Sequence, residues 1–388
     1  MAELEGVTAE DFLKKRGKAG LLRRLKPISR RHNGRVYLKT KEFIDFSSND
    51  YLGLANHPKL VASAKEALDR FGTSASASRL LSGDLEIHHR LEEEVARFKN
   101  KESALVFNSG YQANVGILSA LYSKSDAIFS DRLNHASIID GIILSKARLF
   151  RYKHNDPNHL EDILKKERGK FKKALIVTET VFSMDGDKPF LNDLVALKDK
   201  YGCQIMVDEA HATGVFGENG SGVVEEEGLT DRIDLIMGTF SKALGSFGAY
   251  LAASKEVVDY LINTCRSFIY STALPPAVAA CNITSISLLR EEPYRRKELL
   301  GRAGYFRETL RKKGFIVKGE SQIVPLIIGQ NQETVRAAET LQKRGYWVLP
   351  IRPPTVPHEQ ARLRFSLTFL HNRELLGKLL DEITRLKI

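Results

Sequence analysis

Apolar residues along this chain fall into short runs separated by longer polar stretches. Ala104–Phe107, Ala127–Phe129, Arg148–Phe150, Ala174–Thr178, Ile205–Val207, Leu235–Met237 and Tyr250–Ala252 each have the length and continuity of a buried strand. Helical periodicity or long loops separate most of them, as in the amphipathic stretch Leu85–Asn100 and the segment that opens at Tyr111. Strands spaced this way predict an α/β fold with a mostly parallel central sheet covered on both faces. Ahead of this region the pattern gives a helix over Ala9–Arg16 capped by Thr8, and a small hairpin, Arg35–Lys39 with Glu42–Phe46. His57-Pro58 introduces a helix to Phe71, followed by the small-residue loop 72–83, read as facing a ligand.

Beyond a long helix over 277–290 comes the charged stretch Arg290–Lys297, where the pattern changes. Helix (294–313), strands (Phe315–Val317, Ile323–Ile328), helix (332–344), strands (Trp347–Ile351, Leu363–Thr368) and helix (Arg373–Leu386) make a smaller α+β domain. The expected organisation is an N-terminal arm over 1–50, a large domain over 51–290 and the small domain over 291–388.

Composition narrows the class of protein. No apolar run reaches membrane-spanning length, and the acidic start Met1–Glu5 lacks the order of a signal peptide, so no membrane association is expected. Cys203, Cys265 and Cys281 lack metal-type spacing and suggest a reducing cytoplasm. The net charge of +11 is compatible with nucleic acid, but the basic residues are interleaved with acids and form no recognition motif. An anionic substrate or an acidic carrier protein suits the charge equally well, as does a generic solvated surface.

In parallel sheets ligands gather at the carboxyl ends of strands. Five such ends carry suggestive residues. Lys242 follows the run 234–238 among small and hydroxylated residues, with glycines at 245 and 248 where backbone can approach a ligand closely, and reads either as a snorkelling cation or as an amine that condenses with a carbonyl. Asp208, three residues before His211, reads as a cap, a salt-bridge partner or the partner of a protonated ring nitrogen. Asp-x-x-His also suits a metal, but no third ligand follows in a motif, and none is expected. Asn108-Ser-Gly110-Tyr111 opens a helix after a strand, a place suited to phosphate. His135 could stack on a flat ring or be structural, and Ser183 could donate a hydrogen bond.

Taken together, Ser47–Leu54, Phe107–Asn114, Val181–Gly186, Val207–Gly214 and Thr239–Lys242 resemble the pyridoxal-phosphate enzymes of fold type I, the aspartate aminotransferase-like transferase fold, and within them the α-oxoamine synthases. The resemblance covers nearly the whole chain. It implies pyridoxal 5'-phosphate carried by Lys242, whose freed amine then acts as a base. It further implies Asp208 on the pyridine nitrogen, His135 on the ring face, and His211 with Ser183 at the phenolic oxygen. Gly110, Tyr111 and Thr239 would serve the phosphate. Ser241 stands where the family often has Gly and could donate to it as well. Arg364 would grip the substrate carboxylate, while Arg23 and Thr355 match substrate-contacting positions and Asn49 belongs to the same pocket.

The activity implied is decarboxylative condensation of L-alanine with a pimeloyl thioester of coenzyme A or acyl carrier protein, in a homodimer whose Ser271-Thr272 loop reaches the neighbouring subunit. A sister activity on glycine and a short acyl donor, a broad acyl specificity, and a non-catalytic binding protein on the same fold are the alternatives. Lys242, Asp208 and His211 are all present, which weighs against the last.

Overall fold

The computed structural model describes residues 8–386, so the acidic start Met1–Glu5 lies outside the described residues. The chain forms two compact units. One comprises the described part of Met1–Ser48, with Met184–Gly186 and Gly301–Ile388; the other comprises Asn49–Ser183 and Asp187–Leu300. Among the described residues no helix is long and apolar enough to cross a membrane.

The first unit opens with α1 (Ala9–Lys18), whose N-cap Thr8 accepts from the Asp11 N–H at 3.2 Å. Strands β1 (Arg30–His32), β2 (Arg35–Leu38) and β3 (Lys41–Asp45) follow as an antiparallel meander containing the expected hairpin.

The larger unit begins with α2 (Pro58–Phe71) and α3 (Glu86–Lys99), then alternates: β4 (Ser103–Phe107), α4 (Gly110–Leu121), β5 (Ala127–Asp131), α5 (Ala136–Ser145), β6 (Arg148–Tyr152), α6 (Pro157–Glu167), β7 (Ala174–Glu179), α7 (Leu191–Tyr201), β8 (Gln204–Asp208), the short α8 (Val223–Glu226), β9 (Leu235–Thr239) and β10 (Ala249–Ala253). Helices α9 (Lys255–Thr264), α10 (Arg266–Ile269) and α11 (Pro276–Glu291) complete it. Its sheet has the order β4-β10-β9-β8-β7-β5-β6. Only β10 runs against its neighbours; β9, β8, β7, β5 and β6 are parallel. Apart from the edge strand β6 the strands are largely buried, and on one face α4 and α9 pack in a shared core with Leu105, Ile117, Leu235, Leu251 and Leu261.

The small-residue loop has a packing reason of its own. Ser78 bridges to Thr272, Arg79 makes a bidentate pair with Glu92 at 2.9 Å for each bond, and a Cβ at Gly83 would lie 2.0 Å from the Ala77 carbonyl oxygen. Another tie holds the segment after β7: His154 bonds Asp131 through Nδ1 at 3.0 Å and Asp187 through Nε2 at 2.8 Å.

The first unit resumes within α12 (Tyr294–Lys312) and adds β11 (Ile323–Gly329), α13 (Asn331–Lys343), β12 (Tyr346–Trp347), β13 (Pro350–Ile351), β14 (Ala361–Ser366) and α14 (Arg373–Thr384). The strand expected over 347–351 is split. β12 joins β3 in parallel, whereas β13 lies on β14, so the chain changes sheets within four residues. That β3–β12 pairing is also why residues before Ser48 cluster with those after Gly301. The strand expected at Phe315–Val317 reduces to one bridge, Val317 to Leu326, beside Pro325, which has no N–H for a ladder.

Candidate active site

The carboxyl ends of β7, β8 and β9 and the N-termini of α4 and α5 bring the expected residues of the larger unit together. Asp208 ends β8 and is 5% exposed. Its Oδ1 accepts from the Ala210 N–H at 2.8 Å and its Oδ2 from Asn114 Nδ2 at 2.9 Å. Asn114 itself is held by a second bond, to Ser137 Oγ at 2.9 Å. Two N–H donors leave carboxylate lone pairs for a third, which is the acceptor a protonated ring nitrogen needs.

His211 is buried, and its Nδ1 meets the Tyr51 hydroxyl at 2.7 Å. The same hydroxyl lies 3.1 Å from Asn49 Oδ1, so Tyr51 ties together two of the expected site residues. His135 caps α5, where its Nδ1 accepts from the Ser137 N–H at 3.3 Å and pairs with Ser137 Oγ at 2.8 Å. Although its side chain reaches the surface, the surrounding protein lowers its pKa. Desolvation is the largest cause, opposed by Asp208 and assisted by Lys242. A neutral imidazole face suits stacking against a flat ring.

Gly110 is the first residue of α4, capped by Ser109, so the first-turn N–H groups of Gly110 and Tyr111 have no helical acceptor. Tyr111 bonds Asp140 through its hydroxyl, and its ring lies edge-on to His135 with centroids 6.4 Å apart. Thr239 ends β9, and its hydroxyl proton goes to the Gly248 carbonyl at 2.7 Å. Ser241 Oγ, 2.7 Å from Thr239 Oγ1, therefore donates to that oxygen, so both hydroxyl protons of this pair have an acceptor within the protein. Lys242 follows in the turn, half-buried. Gly245, at φ +64°, approaches backbone rather than a ligand: a Cβ there would lie 2.5 Å from the Ala55 nitrogen. This close approach fixes the lysine's turn against the 49–55 segment. Ser183 stands half-buried after β7, in a turn.

Behind this constellation the next residue, Glu209, points the other way and is fully buried. It pairs with Lys99 Nζ at 2.6 Å and accepts from the Val224 N–H at 3.0 Å. Lys99 also bonds Thr213 Oγ1 at 3.3 Å and the Ser221 carbonyl. At Gly222 a Cβ would lie 2.2 Å from Glu209 Oε2.

The remaining expected residues belong to the other unit. Arg364 is buried on β14 and donates to Ser366 Oγ at 2.5 Å. Arg23 donates to Thr355 Oγ1 at 2.9 Å. Sequence reasoning missed Asn114 and Tyr51 as site residues, although both lie inside the segments that carried the resemblance.

The family model for class I and II aminotransferases matches residues 41–383. An 8-amino-7-oxononanoate synthase of Geotalea daltonii is 49% identical over 358 residues, 92% of this chain and 91% of that protein. Among solved structures, a Sphingomonas wittichii serine palmitoyltransferase is similar, with a TM-score of 0.93 at 31% identity over 98% of this chain and 97% of that one. A structure of SPT with a PLP internal aldimine has a TM-score of 0.91 at 30% identity, over 99% and 97%. The chain belongs to the class I and II aminotransferase family and, within it, to the α-oxoamine synthases.

Proposed function

We propose that this chain is a decarboxylating C-acyltransferase that condenses L-alanine with a pimeloyl thioester, in the synthesis of biotin. The observation that carries the reading is the convergence of Lys242, Asp208, His211 and the α4 N-terminus at one end of the sheet, in a chain 49% identical to an 8-amino-7-oxononanoate synthase over 92% of its length. The cofactor is pyridoxal 5'-phosphate, and the donor set fits it. When bound, it supplies the electron sink for charge at the substrate Cα.

The chain's own groups do the rest. Asp208, steadied by Asn114 and the Ala210 N–H, accepts the pyridine N–H and keeps that proton in place. His135 presents an imidazole face to the ring. His211, oriented by Tyr51, and Ser183 serve the phenolic oxygen. The first-turn N–H groups of α4, with the hydroxyls of Thr239 and Ser241, are assigned to the phosphate. Lys242 Nζ carries the cofactor between turnovers and takes the α-proton of alanine. Arg364 is assigned to the alanine carboxylate, and Arg23, Thr355 and Asn49 to contact with substrate, all from their motifs. The acyl carrier is coenzyme A or acyl carrier protein; the net charge of +11 favours the acidic carrier protein. The working form is a cytoplasmic homodimer.

The test offers L-alanine or glycine against pimeloyl or acetyl thioesters to the cofactor-loaded protein in all four pairings. Turnover concentrated on alanine with pimeloyl is expected. Turnover chiefly of glycine with acetyl would transfer the chain to the sister activity.

A further inference from the structure

Two acids stand side by side at the centre of this sheet end. Glu179 and Asp208 are register partners on the parallel strands β7 and β8, so their side chains leave the sheet on the same face. They are 3% and 5% exposed. Neighbouring carboxylates in a buried place do not both ionise readily, and one keeps its proton. Their partners decide which. Asp208 receives two N–H donors on two different oxygens. Glu179 has its carboxyl beside the backbone N–H groups of His135 and Ser183, but its Oε1 meets no hydrogen-bond partner. A buried oxygen without a donor is better tolerated on a neutral acid than on an anion. The charged and titratable groups facing Glu179 are Asp208 on β8, Lys242 after β9 and His135 before α5.

We propose that Glu179 is a positioning residue that stands as a neutral acid between the backbones of His135 and Ser183 and leaves Asp208 as the one negative charge of this register pair. Its main-chain N–H is anchored to Asn134 Oδ1 at 3.2 Å, next to His135, so one residue braces the supports of both the ring face and the phenolic oxygen. An anion here would also attract the Lys242 ammonium and hold the amine in its charged, non-basic form. Burial, followed by the charge of Asp208, pushes the Glu179 carboxyl up to about 8, against the pull of Lys242 and the two backbone N–H groups. The purpose of this arrangement rests on the cofactor reading above; the proton on Glu179 does not.

The experiment is infrared difference spectroscopy of the holoenzyme against E179Q, with turnover of E179Q and E179A measured alongside. At about pH 7 the wild-type spectrum is expected to show the carbonyl stretch of a protonated carboxyl that E179Q lacks. The band should fade as pH rises through about 8. E179Q, neutral and of the same shape, should lose no more than about threefold in turnover, against about tenfold or more for E179A. Absence of the band, or E179Q losing as much as E179A, would overturn the proposal. A protein that fails to take up the cofactor would instead defeat the cofactor reading, and the band, measured without cofactor, would still decide the state of Glu179.

Discussion

Asp208 and Glu209 are adjacent in sequence and both buried, yet they live in opposite electrostatic worlds. Glu209 has a cation of its own in Lys99, a backbone donor, and a glycine shaped to its oxygens. Its needs are met within the protein, and its role is architectural. Asp208 has two neutral donors and, as its register neighbour, another acid with an unmatched oxygen. A buried carboxylate with no cation of its own and a second acid beside it is costly for a fold and useful for a site. The contrast separates the acid that holds the turn from the acid that works at its edge.

The sharpest way to break that contrast is to remove Lys99. K99M leaves Glu209 buried without its cation, and urea denaturation should show a loss of about 3–5 kcal/mol. Changing both partners to apolar residues, K99M with E209L, should recover most of that loss, since a well-packed apolar pair tolerates burial. D208N should do the reverse: turnover should fall by about a hundredfold to a thousandfold while the urea midpoint moves little. A D208N protein that unfolds as easily as K99M would erase the distinction.

His154 sharpens it from another side, because it is a clamp between two carboxylates. Burial tends to lower its pKa, but its bonds to Asp131 and Asp187 outweigh this and raise it to about 9. The folded value lies above the unfolded one, so the clamp stabilises fully below about pH 6.5 and is lost as pH climbs through about 9. Wild-type stability should therefore drop by up to about 3 kcal/mol across that window, and H154N should abolish this part of the pH dependence. The smallest expected effect is at Tyr51. Y51F removes the bond to His211 Nδ1 and should lower turnover by about tenfold, with about 1 kcal/mol or less lost in stability.

The strands were legible in the sequence because each is a short apolar run buried on two faces, and the site was legible because strand ends place chemistry next to such runs. What was not legible depends on distant partners. Asn114 orients Asp208 across 94 positions of sequence, and Tyr51 orients His211 across 160. Neither pairing leaves a local pattern. Gly245 read as an approach to a ligand because a glycine shows only that space is short, not what fills it; the backbone of Leu54–Ala55 does. The split of residues 346–351 between two sheets was hidden for a related reason, since an apolar run says that a strand forms but not which strand receives it.

The proposed chemistry turns on the amine of Lys242. Borohydride reduction of the cofactor-loaded protein, followed by peptide mapping, should place a stable pyridoxyl label on Lys242 and leave K242A unlabelled. A label on another lysine, or a K242A protein that still turned over normally, would contradict it.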